Sequence, residues 1–534
     1  MKDYTKKQRT LIILGVAVFI LIGSGLTYAA LTWATSNPIN IGLTSGCFEI
    51  NYTPGGAINN ANVEVMNEST LISNNKFTIT EGIALTYANI GIKSTCSIEG
   101  YGSLYLNVTS LSSAFTTGES KGSLKYAILN NTSSSSTTLT VAGLKGQSFD
   151  IVKKGTITST GTVNILNKKL SNTVQNKYLI VFYIDGSKIG NDVIGASFAG
   201  NISADAHQGN NMPIEGLAKL IANDTFKSTK TVTLNSVNYK YDDTHKLMED
   251  TAGNIRYYGA SPNNYIYFNC SDYNNQSSST CETWRIIGVF DKKVKIMRGS
   301  QIGKYSWDTS DSSTNSGDGV NEWSQADLMK LLNSGYDSES VGGSLYWNAK
   351  SGTCYNNKNN ATTSCNFTST GIKENTKNLI AETTYYTRGH NTSSIYVDAM
   401  YDKERVSGTV ITGVTPTRTL TWTGKIAIPY PSDYGYAADL SLCQKTLNSY
   451  NDETCTANNW MYNIVTNNGA NAGWLLTPYS GRAYFAWPVS SSGYVDVSRD
   501  AYIAYGVAPV LSLTSELDIG SGSGTSSSPY QLSV

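Results

Sequence analysis

Eight cysteines in four sequential couples constrain this chain more than any other feature. They are Cys47 with Cys96, Cys270 with Cys281, Cys354 with Cys365, and Cys443 with Cys455. The last three couples enclose 10, 10 and 11 residues, and more than 70 residues separate one couple from the next. Pairing within couples is therefore the economical connectivity. A loop of about a dozen residues closed this way contributes on the order of 3 kcal/mol, less any strain. Disulfides persist in oxidising compartments, so the couples predict an exported protein. Zinc, the rival use of cysteine, fails on spacing: there is no Cys-x-x-Cys, and His207, His245 and His390 lie far from every couple in sequence.

The N-terminus makes the same prediction independently. Lys2, Lys6, Lys7 and Arg9 precede an apolar run from Leu11 to Ile22 that trails on to Leu31. Leu11 to Leu31 is 21 residues, and a helix needs roughly 20 to cross a hydrocarbon core. Basic residues resist translocation, so the N-terminus is expected inside and the bulk of the chain outside. Thr27-Tyr28-Ala29 also offers small residues where a signal peptidase reads. Residues 1–31 are thus a single-pass anchor contacting the membrane through 11–31, or a leader cleaved near Ala29; both export the protein.

With 534 residues, two or three domains are expected. Net charge is zero and charged residues are scarce, which disfavours a nucleic-acid partner. Residues 32–208 read as short strands and turns, with Tyr178–Ile184 apolar enough for a central strand, and predict an all-β sandwich. Residues 209–254 read as a connector containing a short helix. Residues 255–534 read as a disulfide-stapled α+β domain with a hairpin around Asp291-Lys292-Lys293. Its helices are expected at Glu322–Leu332, where Ser324 is the plausible N-cap, and at about Thr370–Thr387. The expected class is multidomain: N-terminal membrane helix, all-β sandwich, then an α+β domain.

Catalytic signals are thin. Three histidines are a small supply for acid–base work, and no Gly-x-Ser-x-Gly elbow or phosphate-binding loop is present. No catalytic residue is assigned, and the chain is expected to be non-enzymatic, with an extracellular hydrolase as the remaining alternative. Asp308, Asp311 and Asp318, with Asn315, Asn321 and Glu322, crowd a glycine-containing loop. Oxygen ligands in such a loop suit calcium, though their spacing does not fit an EF-hand, and a solvated loop is the alternative. Otherwise no cofactor is expected. The 35 tyrosines include two aromatic stretches, Trp422 to Tyr436 and Tyr479 to Trp487.

Two resemblances sharpen these expectations. The leader Gly23-Ser24-Gly25-Leu26-Thr27-Tyr28-Ala29-Ala30 resembles the export segments of the TasA/camelysin family, secreted bacterial β-sandwich proteins that build matrix fibres. That resemblance implies leader cleavage and, for residues 32–208, a structural subunit of an extracellular fibre. Near the C-terminus stand Trp474, Leu475 and Pro478, then Ala486 and Val489, then Gly506, Val507, Pro509, Val510 and Leu511. This ending is similar to the C-type-lectin-like fold of formylglycine-generating enzymes and of bacterial ligand-binding surface proteins. The enzyme's paired thiols are absent, because no cysteine follows Cys455. The resemblance implies a cell-surface adhesin or ligand-binding module for a glycan or protein, with Tyr434, Tyr436, Tyr484 and Trp487 as ligand-binding residues.

Overall fold

The structure, a computed structural model, describes residues 41–533 apart from 46–47, 60–62, 95–99, 132–138, 172–173, 209–215, 311–316, 410–417 and 516. The chain divides into two compact units, Met1–Pro213 and Ile214–Val534.

The first unit is built on the strand Gln175–Asp185, which lies in the interior of a nine-stranded sheet. In order across that sheet run Ile41–Ser45, Phe48–Pro54, Ala84–Ser94, Gln175–Asp185, Leu124–Asn130, Ser148–Thr156, Lys76–Thr78 and Ile72–Ser73. Val65–Met66 adds in parallel to Gln175–Asp185. Side chains alternate between the two faces of a strand. Tyr178, Ile180, Phe182 and Ile184 accordingly pack with Leu104, Leu106, Leu166 and Ile202 of a three-stranded sheet. Leu179, Val181 and Tyr183 enter a second core with Leu71, Phe77, Leu144 and Phe149. Burial on both faces is why this segment reads as one continuous apolar run.

The second unit holds another nine-stranded sheet, which starts at Lys230–Leu234. It continues through Val237–Asp242, Leu247–Glu249, Ile255–Tyr257, Glu282–Phe290, Lys293–Arg298, Val510–Ser512 and Ile426–Ala427, with Tyr265–Phe268 pairing onto Glu282–Phe290. Residues 230–254, which read as connector, thus contribute strands to this sheet. The hairpin between Glu282–Phe290 and Lys293–Arg298 turns through Asp291 and Lys292, both at positive φ as a two-residue hairpin turn requires. Here too the sheet is apolar on both faces: Ile296 and Leu511 enter one core, Met297 and Val510 the other. A smaller sheet of Lys304–Tyr305, Tyr505–Gly506, Gly473–Pro478, Phe485–Val489 and Arg499–Asp500 carries the first two C-terminal motifs and Gly506 of the third.

The expected fold class is corrected. The described residues are mostly β-sheet, and their helices are short. Glu322–Leu332 is a 3-10 turn at Trp323–Gln325 followed by a helix only over Asp327–Leu332, because Ala326 adopts an extended conformation between them. Ser324 is no N-cap; its amide donates to the Glu322 side chain, which caps the first turn. In place of a helix at 370–387 stand a 3-10 turn, Glu374–Leu379, and a strand, Thr383–Tyr386. Among the described residues no helix is long and apolar enough to cross a membrane. The helix expected at 11–31 lies outside the described residues; over the described residues the class is β-rich with short helices.

Three of the four expected disulfides are closed: Cys270–Cys281, Cys354–Cys365 and Cys443–Cys455. They fit an oxidising, extracellular environment. Cys47 and Cys96 lie outside the described residues.

Candidate functional site

Of the four aromatic residues expected at a ligand surface, three are in the core. Tyr434 and Tyr436 belong to the helix Pro431–Tyr436, every residue of which is buried. The Tyr434 hydroxyl donates to the Gly493 carbonyl at 2.7 Å, and the Tyr436 ring meets Tyr239 edge-on at 6.0 Å. Trp487 is fully buried in the strand Phe485–Val489. A tyrosine buried with its hydroxyl bonded to a carbonyl costs little, so a Tyr-rich segment serves as core as readily as surface.

Tyr484 is half-buried, and it stands in company. Its ring meets Phe485 edge-on at 4.8 Å, Phe485 lies 5.9 Å from Tyr479, and both of these rings are also half-buried. Arg482 is exposed, donates to the Tyr484 hydroxyl at 3.0 Å, and sits 5.8 Å from the Phe485 ring centre. Three aromatic faces and one guanidinium therefore share the loop 479–485.

That loop is held from beneath. The Asn321 side-chain amide donates to the carbonyls of Tyr479, Arg482 and Phe485 at 3.0, 2.9 and 2.6 Å. The Asn321 backbone amide donates to Ala483 at 2.7 Å. Arg418 donates to Asn321 Oδ1 at 3.1 Å and to the Ala483 carbonyl at 2.8 Å. Glu322 accepts from the backbone and hydroxyl of Thr419, tying the two supports together. Asn321, Glu322 and Arg418 are all buried. Asn321 and Glu322 read in sequence as possible calcium ligands, but they are the scaffold of the loop. Arg418 carried no sequence signal, since nothing local links it to a segment 65 residues on.

Of Asp308, Asp311 and Asp318, expected as calcium ligands, two are described, and each has other partners. Asp308 is buried, and its carboxylate accepts from the Ser310 amide at 3.0 Å, the Val320 amide at 2.7 Å and the Asp327 amide at 3.3 Å. Asp318 pairs with Lys358 at 2.6 Å. Asp311 lies outside the described residues. Among the described residues no group of three or more His, Cys, Asp or Glu side chains is arranged to hold a metal.

Asp308 instead shares a buried pocket of charge with Asp327. Burial, and then the neighbouring Asp308 carboxylate, push the Asp327 carboxyl up to about 7. Its Oδ2 accepts from the amide and hydroxyl of Thr309, both at 2.8 Å.

Comparison with known protein families, curated proteins and solved structures finds no match to this chain.

Proposed function

We propose that this is an exported, non-enzymatic ligand-binding protein of the adhesin type, which contacts a glycan or a protein surface through the loop 479–485. What carries the reading is one observation: Tyr479, Tyr484 and Phe485 are partly open to solvent beside exposed Arg482, on a backbone fixed by buried Asn321 and Arg418. Aromatic faces stack on the C–H faces of sugars and on apolar side chains, and a guanidinium adds directed donors for hydroxyl or carboxylate groups. A pre-fixed loop loses little conformational entropy on binding.

The test is a glycan array, with a parallel panel of immobilised matrix proteins, probed with the exported chain and its Tyr484→Ala and Arg482→Ala variants. Binding that both variants lose supports the reading. Binding that both retain, or two blank panels, sinks it.

A second reading, a structural subunit of an extracellular fibre, is favoured by the three-stranded sheet of the first unit. Among the described residues its outer strands are Gly161–Leu170 and Phe198–Gln208; each pairs along its length with Gly100–Leu111, and the far side of Phe198–Gln208 carries a single bridge, from Ile58 to Gly200. Long outer strands are templates for pairing with a second chain. Concentration-dependent filaments under the electron microscope would favour this reading over the first.

A further inference from the structure

Among the described residues two arginines are exposed, Arg482 and Arg499. Arg499 is paired with Asp496 at 2.7 Å, whereas no described carboxylate pairs with Arg482. The Arg482 Nη1 donates to the Tyr484 hydroxyl at 3.0 Å, and its guanidinium carbon lies 5.8 Å from the centre of the Phe485 ring. Nε and Nη2 have no partner among the described residues. Together those two nitrogens form the edge of a guanidinium that takes both oxygens of a carboxylate side-on.

The position of this edge matters as much as its charge. Bonded to the phenol oxygen, the guanidinium stands at the rim of the Tyr484 ring. The backbone beneath is fixed: Asn321 holds the Arg482 and Phe485 carbonyls at 2.9 and 2.6 Å, and the Tyr484 carbonyl accepts from the Ala501 amide at 2.8 Å.

We propose that the loop 479–485 selects acidic glycans built on hexuronate, with Arg482 pairing the sugar carboxylate. This rests on the reading of that loop as the binding surface. A pyranose stacks on an aromatic ring through its axial C–H bonds, and its equatorial groups then project sideways. The carboxylate of a hexuronate is equatorial, so a sugar laid on the Tyr484 ring carries it over the rim, within reach of Arg482. A neutral hexose offers a hydroxymethyl group at the same place, and a neutral hydrogen bond is roughly half as strong as a charge-assisted one. An acidic peptide brings a carboxylate on a flexible side chain, with no rigid C–H face beside it, and loses more freedom on binding. Tyr484 therefore has two parts to play: its ring stacks, and its hydroxyl orients Arg482.

The test presents the full-length exported chain with immobilised polygalacturonate and alginate, each beside its carboxyl-reduced, neutral form, at physiological ionic strength. The acidic forms are expected to bind about tenfold tighter or more, the size of one charge-assisted pair. That ratio should fall toward one in Arg482→Gln and recover only in part in Arg482→Lys, which keeps the charge and lacks the fork. Tyr484→Phe, which keeps the ring and frees Arg482, should lower the ratio too, and it carries the comparison if circular dichroism shows Arg482→Gln misfolded. Equal binding of acidic and reduced polymers overturns the selectivity and leaves the loop standing as a binding surface. An acid preference undiminished in folded Arg482→Gln places the charge recognition elsewhere and also overturns the inference. Binding to a matrix protein alone, lost in Tyr484→Ala, overturns the glycan class and keeps the loop. Binding to no polymer, glycan or protein overturns both readings.

Discussion

The Arg418 guanidinium donates to the side-chain oxygen of Asn321 at 3.1 Å, and so orients the Asn321 amide toward three carbonyls of the loop 479–485. The relationship spans 97 residues of sequence. It makes a buried asparagine the support of a surface loop.

Asn321→Ala is therefore expected to destabilise the second unit by about 2–4 kcal/mol, because three loop carbonyls lose their buried donor at once. Urea denaturation measures the loss. Asn321→Asp should be at least as damaging, since a carboxylate would face the same carbonyls. A loss below about 0.5 kcal/mol for both, the size of an ordinary surface substitution, would remove the support role.

The aromatic residues should divide by burial. Trp487→Ala is expected to cost about 3–5 kcal/mol by opening a cavity in the core. Tyr434→Phe should cost about 1–2 kcal/mol, by leaving the Gly493 carbonyl without its donor. Tyr484→Ala should shift the thermal midpoint little while lowering ligand binding. Equal thermal shifts in Trp487→Ala and Tyr484→Ala would contradict the division.

Asp327 sets a pH dependence of definite sign. Its carboxyl rises from an ordinary 3.8 to about 7 in the folded chain, so between those values the folded state holds a proton that the unfolded state has released. The stability from this group is fully present below about pH 4 and is lost as pH rises through 7. The thermal midpoint of the parent should therefore fall relative to that of Asp327→Asn between pH 5 and pH 8. The neighbouring Asp308, also raised by burial, acts in the same direction. A constant difference across that range would refute the assignment.

The remaining cysteines should form the fourth disulfide. Phe48 pairs with Ser94 at the end of the ladder between Phe48–Pro54 and Ala84–Ser94. Cys47 is one residue before the first partner and Cys96 two after the second. Non-reducing peptide mapping should recover a Cys47–Cys96 peptide alongside the three disulfides already described. Free thiols at both positions would contradict it. Replacing both Cys354 and Cys365 by Ser should cost about 3 kcal/mol, the value of closing a loop of that length.

Much of the fold was legible in the residues themselves. The apolar run Tyr178–Ile184 announced a central strand because both its faces are buried, and Asp291-Lys292-Lys293 marked a hairpin whose turn is Asp291 and Lys292, with Lys293 already in the strand. The last three cysteine couples were legible because each closes a short loop, where sequence distance and spatial distance nearly coincide. The helices at 322–332 and 370–387 were misread for one reason: periodic apolar residues record which side faces the core, but not whether the backbone stays helical between them. Ala326 breaks the first, and the second gives way to a strand.

The candidate site was legible only in part. Tyr484 and its neighbours could be picked out as an aromatic cluster, but so could Tyr434, Tyr436 and Trp487, which the core absorbs. Composition records that a ring is present, and only packing decides whether solvent reaches it.

By itself, then, the sequence determined a β-rich, disulfide-closed chain, because alternation along a strand and closure of a short loop are local properties. The tertiary structure decided which aromatic rings face out, and that Asn321 and Arg418 support them. That relation joins segments 97 residues apart, and it exists only once burial has made each polar group find a partner.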